Sequence, residues 1–429
     1  MRFTFKGGIH PPGFKKLTNT KAIIRAGVPK QVVVPLSQHI GAVCEPVVSV
    51  GEAVKIGTLI GRSDKFISAY VHSSVSGKVI KIESRAHPVL GACNSIVIES
   101  GQSQDAAYVN NHNCDIDMLS QEEIINSISQ AGIVGLGGAC FPTHVKLSPP
   151  KNKTIDTFIL NCAECEPYLS CDHRVMLEHP EAVVKGAFGM MKALGVKNGI
   201  IAIEDNKPDA IKVMRSNAAN FKIAVLKTKY PQGAEKQIIN AVLGRIVPSG
   251  ALPMDVGCVV QNVQTAFAVY EAVYLKKPLT ERVITIAGPC VKNAVNIRVK
   301  IGTLVSDLMD SLGGFIREPK KVIFGGPMMG IAQYTLDVPV IKGTSGIIFL
   351  SEKETGNEQE SACIRCGKCV DACPVKLLPT TLMHLVKKDR FSEAKDLGLA
   401  NCYECGSCAY ECPAKIPLLD YMKFGKAKI

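Results

Sequence analysis

The sequence contains no tryptophan, and aromatic residues make up only 6% of its 429 positions. No run of basic residues is interleaved with aromatic ones, which makes nucleic acid the weakest candidate partner. The strongest apolar stretches, Gly199–Ile203 and Gly346–Leu350, have the length of strands and fall far below the ~18 residues of a membrane span. The opening MRFTFKGGIHPP lacks the apolar core of a signal peptide, so we expect a chain on the cytoplasmic side without a transmembrane segment.

Acidic residues are outnumbered by basic ones, with 38 Asp and Glu against 50 Lys and Arg and a net charge of +12. This excess favours an anionic partner such as a phosphorylated cofactor, an acidic redox protein or an acidic lipid surface. The hydrophobic fraction of 46% excludes wholesale disorder, and the length predicts about three domains.

Cysteine is abundant. Seventeen cysteines without a secretory signal argue for metal ligation rather than disulfides. Eight of them form two runs of C-x2-C-x2-C-x3-C-P, the bacterial signature of a [4Fe–4S] cluster, whereas zinc has no place for a third cysteine in one loop. In two-cluster proteins the fourth cysteine crosses to the other cluster. We therefore assign one cluster to Cys363, Cys366, Cys369 and Cys412, and the other to Cys402, Cys405, Cys408 and Cys373.

Residues 1–113 are expected to form a β barrel-sandwich module, because short β-branched runs alternate with Gly and Pro. Two hairpin-like units, Val50–Gly57 and Val75–Val79, are similar to the halves of a lipoyl- or biotinyl-type sandwich. Lys65 stands near the modified lysine of such domains, but the biotinyl Met-Lys-Met signature is absent, so we interpret the module as structural. The predicted strands are Gln31–Pro35, Val47–Val50, Val79–Ile82 and Ser95–Ile98.

Residues 114–278 change to alternating helices and strands, the pattern of an α/β layer. Ser120 and Glu123 form a capping box that predicts a helix, which Gly132 is placed to end. The predicted strands are Thr157–Leu160, Gly199–Ile203, Ile223–Leu226 and Gly257–Val260. The predicted helices are Pro180–Leu194, Pro208–Ala219, Ala234–Leu243 and Val263–Leu275.

Two smaller units complete the expected multidomain α+β protein. Residues 279–350 suit a small β-grasp module with one helix, Leu304–Leu312, and the polar segment Ser351–Glu360 is expected to be a linker. Residues 361–429 are predicted to be an α-helical two-cluster ferredoxin domain. The strands predicted for the β-grasp module are Arg282–Ile286, Asn296–Val299, Lys321–Phe324 and Gly346–Leu350.

A glycine-rich loop, Gly135–Thr143, directly follows the capped helix. Its glycines would let backbone N–H groups approach an anion, Phe141 could stack on a ring and Lys146 could meet a phosphate; a plain helix-to-strand turn is the alternative. The segment Asn161–Tyr168 (NCAECEPY) follows an apolar strand, where α/β folds bind ligands. Its two carboxylates suit ribose hydroxyls or the ring and ribityl groups of a flavin.

Several segments together resemble the FMN- and NADH-binding flavoprotein subunit of respiratory complex I. The chain is still more similar to the C subunits (RnfC) of the Rnf complexes, membrane-associated ferredoxin:NAD oxidoreductases that pump sodium ions or protons. The resemblance covers essentially the whole chain and rests on the glycine loop, the tandem cysteine runs and the segments GGIHPP (7–12), PLSQHIG (35–41), AECEPY (163–168), YPQGAE (230–235) and NVQT (262–265). The chain departs from the complex I pattern at three positions, where an Asp, a Ser and a Glu are replaced by Ala163, Cys165 and Ala234. The complex I subunit has one cluster where this chain would have two.

The resemblance implies a central domain that binds non-covalent FMN and takes NAD(H) as substrate, with an SLBB-like β-grasp module beside it. It also implies integral membrane subunits and a ferredoxin-like subunit as partners, and a peripheral location on the cytoplasmic side of the membrane. Phe141 and Glu166 would meet NADH. The other positions implied in cofactor binding are Gly135, Gly137, Gly138, Lys146, Asn161, Glu164, Gly233, Glu235, Asn262 and Thr265.

The function that follows is electron transfer in an oxidoreductase. Nicotinamide exchanges two electrons as a hydride and a cluster takes one, so a flavin is required between them, and no catalytic side chain is expected. Two alternatives stay open: a cobalamin reductase of similar build, and a flavin-less iron–sulfur relay or scaffold. A further metal site is also open, at Cys162, Cys165, Cys171 and His173.

Overall fold

The computed structural model describes residues 2–109, 114–356 and 359–429, and its architecture is the expected multidomain α+β one. A barrel-sandwich, an α/β layer, a β-grasp-like sheet and a helical module follow one another. The expected boundary at 113/114 and part of the expected linker fall on residues 110–113 and 357–358, outside the described residues. The longest helix in the described part of the chain has 15 residues, and no helix there could cross a bilayer.

The barrel-sandwich consists of two small antiparallel sheets around an apolar core. The first strand of the chain, β1 (Ile24–Arg25), joins a later sheet, and the barrel strands are β2 (Gln31–Pro35), β3 (Glu45–Pro46), β4 (Ala53–Val54), β5 (Leu59–Arg62), β6 (Val71–His72), β7 (Gly77–His87) and β8 (Gly91–Ser100). The orders are β2-β8-β7-β4 and β3-β5-β6. Three predicted strands are confirmed in β2, β7 and β8. The prediction for Val47–Val50 is wrong, because this run enters the turn in which Glu52 N–H donates to the carbonyl of Ser49.

The α/β module contains a four-stranded parallel sheet. Its elements are α1 (Gln121–Gln130), α2 (Thr143–Lys146), β9 (Thr157–Cys162), α3 (Cys171–Glu178), α4 (Pro180–Leu194), β10 (Asn198–Glu204), α5 (Pro208–Asn217), β11 (Lys222–Leu226), α6 (Glu235–Leu243), β12 (Cys258–Asn262) and α7 (Val263–Leu275). The order β11-β10-β9-β12 makes β9 and β12 neighbours. The capping box of Ser120 and Glu123 is present, and Gly132 follows the helix with a φ of 64°. The predicted elements are confirmed to within two residues at each end, and α2 and α3 are additional.

The β-grasp module supplies five strands of a six-stranded sheet. Its elements are β13 (Glu281–Ala287), β14 (Val295–Lys300), α8 (Val305–Ser311), β15 (Lys321–Phe324), β16 (Ile331–Gln333) and β17 (Gly346–Leu350). The order is β1-β14-β13-β17-β15-β16, with β1 parallel to β14 at one edge. The four predicted strands and the helix are confirmed, and β16 is additional.

The C-terminal module is helical in its described residues. The segment expected to be a linker contains a short helix, α9 (Glu352–Thr355), with a capping box of Ser351 and Glu354. The helices of the C-terminal module are α10 (Lys368–Ala372), α11 (Pro379–Lys387), α12 (Phe391–Asp396), α13 (Ser407–Tyr410) and α14 (Leu418–Lys426). The ferredoxin cysteines lie at or next to the ends of α10 and α13 and in the loops before them.

Residues 2–25 form an arm that ties the modules together. Phe3 forms a parallel β-bridge with Leu226, the last residue of β11, and Ile9 exchanges two backbone hydrogen bonds of 2.8 and 2.9 Å with Tyr230. Gly8 N–H donates to a carbonyl at the end of α10 at 2.9 Å, and the arm ends in β1. The arm therefore reaches the α/β, helical and β-grasp modules before the barrel begins.

Candidate functional site

The candidate pocket lies at the sheet edge where β9 and β12 end. Asn161 and Asn262 are register partners at this edge. The side-chain oxygen of Asn262 caps α7 by accepting from the N–H groups of Gln264 (2.8 Å) and Thr265 (3.4 Å). Asn161 Nδ2 donates to the carbonyl of Gly233 at 2.8 Å and so holds the segment before α6 at the same edge. Three of the predicted segments therefore meet where parallel sheets bind ligands.

The glycine loop is anchored on the first turn of α7. Gly135 N–H donates to the carbonyl of Phe141 at 2.9 Å and closes the loop. Leu136 N–H donates to Thr265 Oγ1 at 2.9 Å, and the carbonyl of Leu136 accepts from the buried Arg282 side chain at 2.8 Å. The buried Thr265 side chain thus fixes the glycine loop to the start of α7.

Two glycines of this loop are exposed at the pocket edge. A Cβ on Gly137 would lie 3.2 Å from the Cβ of Asn262. Gly138 has a φ of 107°, which favours glycine, and a Cβ there would meet open space. The loop therefore leaves room for a ligand next to the backbone.

Lys146 and Glu235 form an ion pair between α2 and α6. Lys146 stands at the end of α2 and Glu235 at the start of α6, and Lys146 Nζ donates to Glu235 Oε1. Both residues are implied in flavin binding, and the structure brings them together. A phosphate that meets Lys146 would share it with this carboxylate.

Glu164 is held in a left-handed turn (φ 48°) by a lysine of the N-terminal arm. Lys15 Nζ donates to the carbonyls of Glu164 and Glu166 at 2.8 Å and of Leu169 at 2.5 Å. The Glu164 carboxylate, 3% exposed, accepts from Asp172 N–H at 2.7 Å, and its other oxygen lies 4.0 Å from Lys15 Nζ without a hydrogen bond. Burial raises the pKa of Glu164 to about 7, against the opposing effect of Lys15.

Glu166 is engaged by the β-grasp module. Its two carboxylate oxygens accept from Met328 N–H (3.0 Å) and Met329 N–H (2.9 Å). A Cβ on Gly326 would lie 2.2 Å from Glu166 Oε2, so only glycine fits there. Burial raises the pKa of Glu166 to about 7. The contact of Glu166 with NADH stays a prediction, since both oxygens already have protein partners.

Sequence analysis missed two residues that organise the pocket. The Asp172 carboxylate accepts from the Asn262 amide at 2.7 Å and the Gln264 amide at 2.8 Å, and its position just after AECEPY is the one available signal. Lys15 lies 149 positions before Glu164, and no sequence spacing links the two.

The residues considered for a further metal site do not meet at one point. Cys165 Sγ accepts from Gly233 N–H at 3.2 Å, and His173 Nε2 bonds Asp209 Oδ1 at 2.8 Å. Cys171 Sγ donates to the carbonyl of Ser345 at 3.2 Å. In the described ranges, one group of three ligand-type side chains has its ligand atoms within 4.8 Å of one another: Glu164, Cys171 and Asp172.

The two cysteine runs fold into loops of the same shape, the outer loop (Cys363–Cys369) and the inner loop (Cys402–Cys408). Arg365 N–H donates to Cys363 Sγ at 3.4 Å, and Glu404 N–H donates to Cys402 Sγ at 3.4 Å. Such N–H···S bonds stabilise a thiolate that ligates a cluster. Three matching pairs of residues have left-handed backbone: Arg365 and Glu404 (φ 56° and 57°), Gly367 and Gly406 (78° and 76°), and Lys376 and Lys415 (57° and 54°).

The last cysteine of each run lies near the other loop. Burial raises the pKa of Cys408 to about 12, and Cys402 and Cys373 are among the neighbouring thiols that add to this rise. Cys412 is likewise an electrostatic neighbour of Cys369. The exchange of fourth ligands between two clusters stays a prediction.

The eight thiols of the two runs are not gathered at the spacing of a zinc site. A Zn–S bond of about 2.3 Å in tetrahedral geometry brings four sulfurs to about 3.8 Å from one another. Within the described residues, which include all eight cysteines, no three of these sulfurs lie within 4.8 Å of one another. Ligation of two [4Fe–4S] clusters by these thiols stays a prediction.

The inner loop is packed against the candidate pocket. The buried Tyr230 donates its hydroxyl hydrogen to the carbonyl of Cys405 at 2.8 Å. Tyr230, Cys405 and Ile9 share a small apolar cluster against which Cys165 packs, and Cys165 Sγ also accepts from Gly233 N–H. A continuous contact therefore joins the segment that follows β9 to the inner loop.

Four families match successive parts of the chain. They are the RnfC barrel sandwich hybrid domain (residues 3–103), the Nuo51 FMN-binding domain (128–271), the SLBB domain (283–332) and the 4Fe-4S dicluster domain (362–416). This succession, with the pocket next to the inner loop, defines the class: a protein with a complex I-type FMN-binding domain and a dicluster ferredoxin domain in one chain.

The curated relatives narrow this class, because they are C subunits of ion-translocating complexes. The chain is 49% identical over 395 residues to the one from the proton-translocating ferredoxin:NAD(+) oxidoreductase complex of Clostridium ljungdahlii, covering 92% of this chain and 86% of that relative. It is 44% identical to the one from the Na(+)-translocating complex of Acetobacterium woodii, covering 91% and 89%. The chain belongs to the RnfC family, the C subunits of ion-translocating ferredoxin:NAD(+) oxidoreductase complexes, which confirms the predicted resemblance.

Solved structures support the fold. An NAD+-reducing [NiFe]-hydrogenase in its H2-reduced state superposes with a TM-score of 0.52 at 16% identity, covering 74% of this chain and 61% of that chain. At this identity the likeness concerns the fold alone.

Proposed function

We propose that this chain is the NAD(H)- and FMN-binding electron-transfer subunit of an ion-translocating ferredoxin:NAD oxidoreductase complex. The observation that carries the proposal is the buried contact between the pocket and the inner loop, made by Tyr230 and Cys405. FMN, when bound, would supply the conversion between two-electron hydride transfer and one-electron steps. The residues of the pocket would bind and orient that ring.

The residues around the pocket fit this role. Asn161, Asn262 and Thr265 fix the loop and the strand ends, and the exposed Gly137 and Gly138 leave room beside the backbone. The flavin site is proposed to comprise these five residues with Gly135, Lys146, Glu164, Gly233 and Glu235, and the NADH site to include Phe141 and Glu166.

The two clusters are proposed to have the crossed ligand sets given by the sequence, Cys363, Cys366, Cys369 and Cys412 for one and Cys402, Cys405, Cys408 and Cys373 for the other. The neighbours of Cys373 and Cys412 support this exchange. The inner loop, beside the pocket, would then hold the cluster nearer the flavin, and the outer loop the cluster farther from it.

The relatives belong to complexes that translocate protons or Na(+), and we propose membrane-embedded partners for this chain also. We further propose that it sits peripherally on the cytoplasmic side, where its net charge of +12 would suit an anionic lipid surface. A ferredoxin-like subunit is the proposed one-electron partner.

NADH-driven reduction of the full chain tests the proposal. The chain, purified without oxygen and loaded with iron, sulfide and FMN, is mixed with NADH and then with a one-electron acceptor. We expect flavin bleaching by NADH and reoxidation by the acceptor. Reduction of cobalamin without co-purifying membrane subunits would favour the cobalamin reductase, and absence of NADH bleaching with intact clusters would favour the flavin-less relay.

A further inference from the structure

The outer loop differs from the inner loop in its surroundings. All 17 cysteines lie in the described part of the chain, and Cys366 at the tip of the outer loop is the one that is exposed. Ile364 beside it is 67% exposed, and Arg365, Gly367 and Lys368 are also exposed. This edge of the molecule therefore presents a cluster ligand to the surroundings.

The inner loop at the matching positions is enclosed. Cys405, Gly406 and Ser407 are buried, and a Cβ on Gly406 would lie 3.3 Å from the carbonyl of Met328. Its charged residue, Glu404, is paired with Lys426 at 2.5 Å. The two loops have the same backbone conformation. Their difference in exposure therefore arises because the rest of the protein covers the inner loop and leaves the outer loop uncovered.

The charges of the two loops differ in sign. Between Ser361 and Cys369 the chain has two basic residues, Arg365 and Lys368, and no acidic one. The equivalent positions of the inner loop are Glu404 and Ser407. An exposed isoleucine flanked by basic side chains has the apolar centre and polar rim of a protein interface.

We propose that the outer loop, through Ile364, Arg365 and Lys368, is the docking surface for an acidic iron–sulfur carrier protein that exchanges one electron at a time. This inference rests on the proposed function and specifies the partner surface. The exchange balances as one electron lost by the outer-loop cluster and one gained by the carrier, or the reverse. Positive charge at the contact would steer an acidic carrier and orient it on the exposed edge.

The inner loop supplies the test variant. Arg365→Glu places in the outer loop the residue that the inner loop has at the same left-handed position (φ 57° at Glu404), so the loop can keep its shape. The matched control is Lys388→Glu, with the same charge change on an exposed residue just after α11. Thr380, in the first turn of α11, donates its N–H to the thiol of Cys369. Lys388 follows eight residues later, roughly 12 Å farther along the helix axis at 1.5 Å per residue.

Binding of a purified acidic bacterial two-cluster ferredoxin to the full cluster-loaded chain is measured by titration calorimetry at about 0.1 M ionic strength, where the Debye length is about 10 Å. We expect Arg365→Glu to raise the dissociation constant about tenfold or more and Lys388→Glu to change it less than about twofold, with both effects reduced by added salt. Equal effects of the two variants, or no effect of Arg365→Glu, would overturn the docking surface.

Failure of the proposed function gives a different result. NADH-driven flavin bleaching is recorded on the same samples, since neither substitution touches the pocket. A chain whose ferredoxin binding depends on Arg365 but which NADH does not reduce would contradict the proposed function and keep the docking surface. If NADH reduces the chain but Arg365→Glu leaves ferredoxin binding unchanged, the docking surface is contradicted and the proposed function is kept.

Discussion

Lys15 organises the turn that contains Glu164 and Glu166 from far away in the sequence. Its ammonium group donates hydrogen bonds to three backbone carbonyls and lies 4.0 Å from a carboxylate oxygen of Glu164. Burial lowers the pKa of Lys15, and the Glu164 charge opposes that effect. A buried cation of this kind is retained only because its hydrogen bonds are satisfied.

Removing this cation should loosen the turn. We expect Lys15→Met to lower the free energy of unfolding by about 2–4 kcal/mol, because three carbonyls lose their donor. It should also weaken FMN binding. Urea unfolding and flavin titration measure the two effects, with the exposed neighbour Lys16→Met as the control. Equal stabilities of the two variants would contradict the role of Lys15.

Glu164 should make stability depend on pH. Its pKa in the folded chain is about 7 against an ordinary value of 4.5, so the folded state keeps a proton that the unfolded state releases. The contribution of this group is present below about pH 4.5 and is lost as pH rises through about 7. We expect the unfolding free energy of Glu164→Gln to fall less over this range than that of the unmodified chain. Equal slopes, with the exposed Glu122→Gln as control, would contradict this expectation.

At the scale of elements, local signals predict most of the fold. The capping box at Ser120 and the proline at the start of α4 set helix ends by contacts within one turn, which the sequence displays. Helix α3 has no side-chain cap, and the three-residue β16 is held by its pairing with β15, so neither leaves a clear local pattern. The arm and the pairing of Ile9 with Tyr230 depend on contacts between distant segments. The pocket segments were predictable from motifs, whereas Lys15, Asp172 and the bond from Tyr230 were not.

The hydroxyl of Tyr230 links two elements that the proposed function needs together. We expect Tyr230→Phe to lower the unfolding free energy by about 1–2 kcal/mol, because the buried carbonyl of Cys405 loses its donor. Iron content should stay unchanged while the paramagnetic resonance signal or the potential of the inner-loop cluster shifts. The exposed Tyr410→Phe is the control. An unchanged signal and potential would show that this bond has no part in the cluster environment.

One added methyl group at Gly326 should disturb the contact between the α/β and β-grasp modules. We expect Gly326→Ala to displace the Glu166 carboxylate, because the added Cβ would lie 2.2 Å from it, and to cost about 1–3 kcal/mol of stability. Gly13→Ala, whose Cβ would meet no atom closer than 3.9 Å, is the control. Thermal unfolding and the KM for NADH measure the two consequences. If both variants behave alike, Glu166 does not join the modules.

At the scale of the whole molecule, the packing of the modules buries the inner loop and leaves the outer loop exposed at the surface. The inner loop touches the pocket through Tyr230, and the outer loop faces outward with Cys366. The cysteine runs in the sequence predict the ligands but not what surrounds them. The direction from the pocket to the surface is therefore visible only in the packing of the modules. The account therefore depends on one chain holding a flavin and two clusters together.

The content of iron, acid-labile sulfide, zinc and FMN in one oxygen-free preparation of the full chain tests this most directly. The account predicts about eight iron and about eight sulfide per chain, as two [4Fe–4S] clusters require, with one FMN and no zinc. Zinc in place of sulfide, or a chain that takes up no FMN, would contradict it.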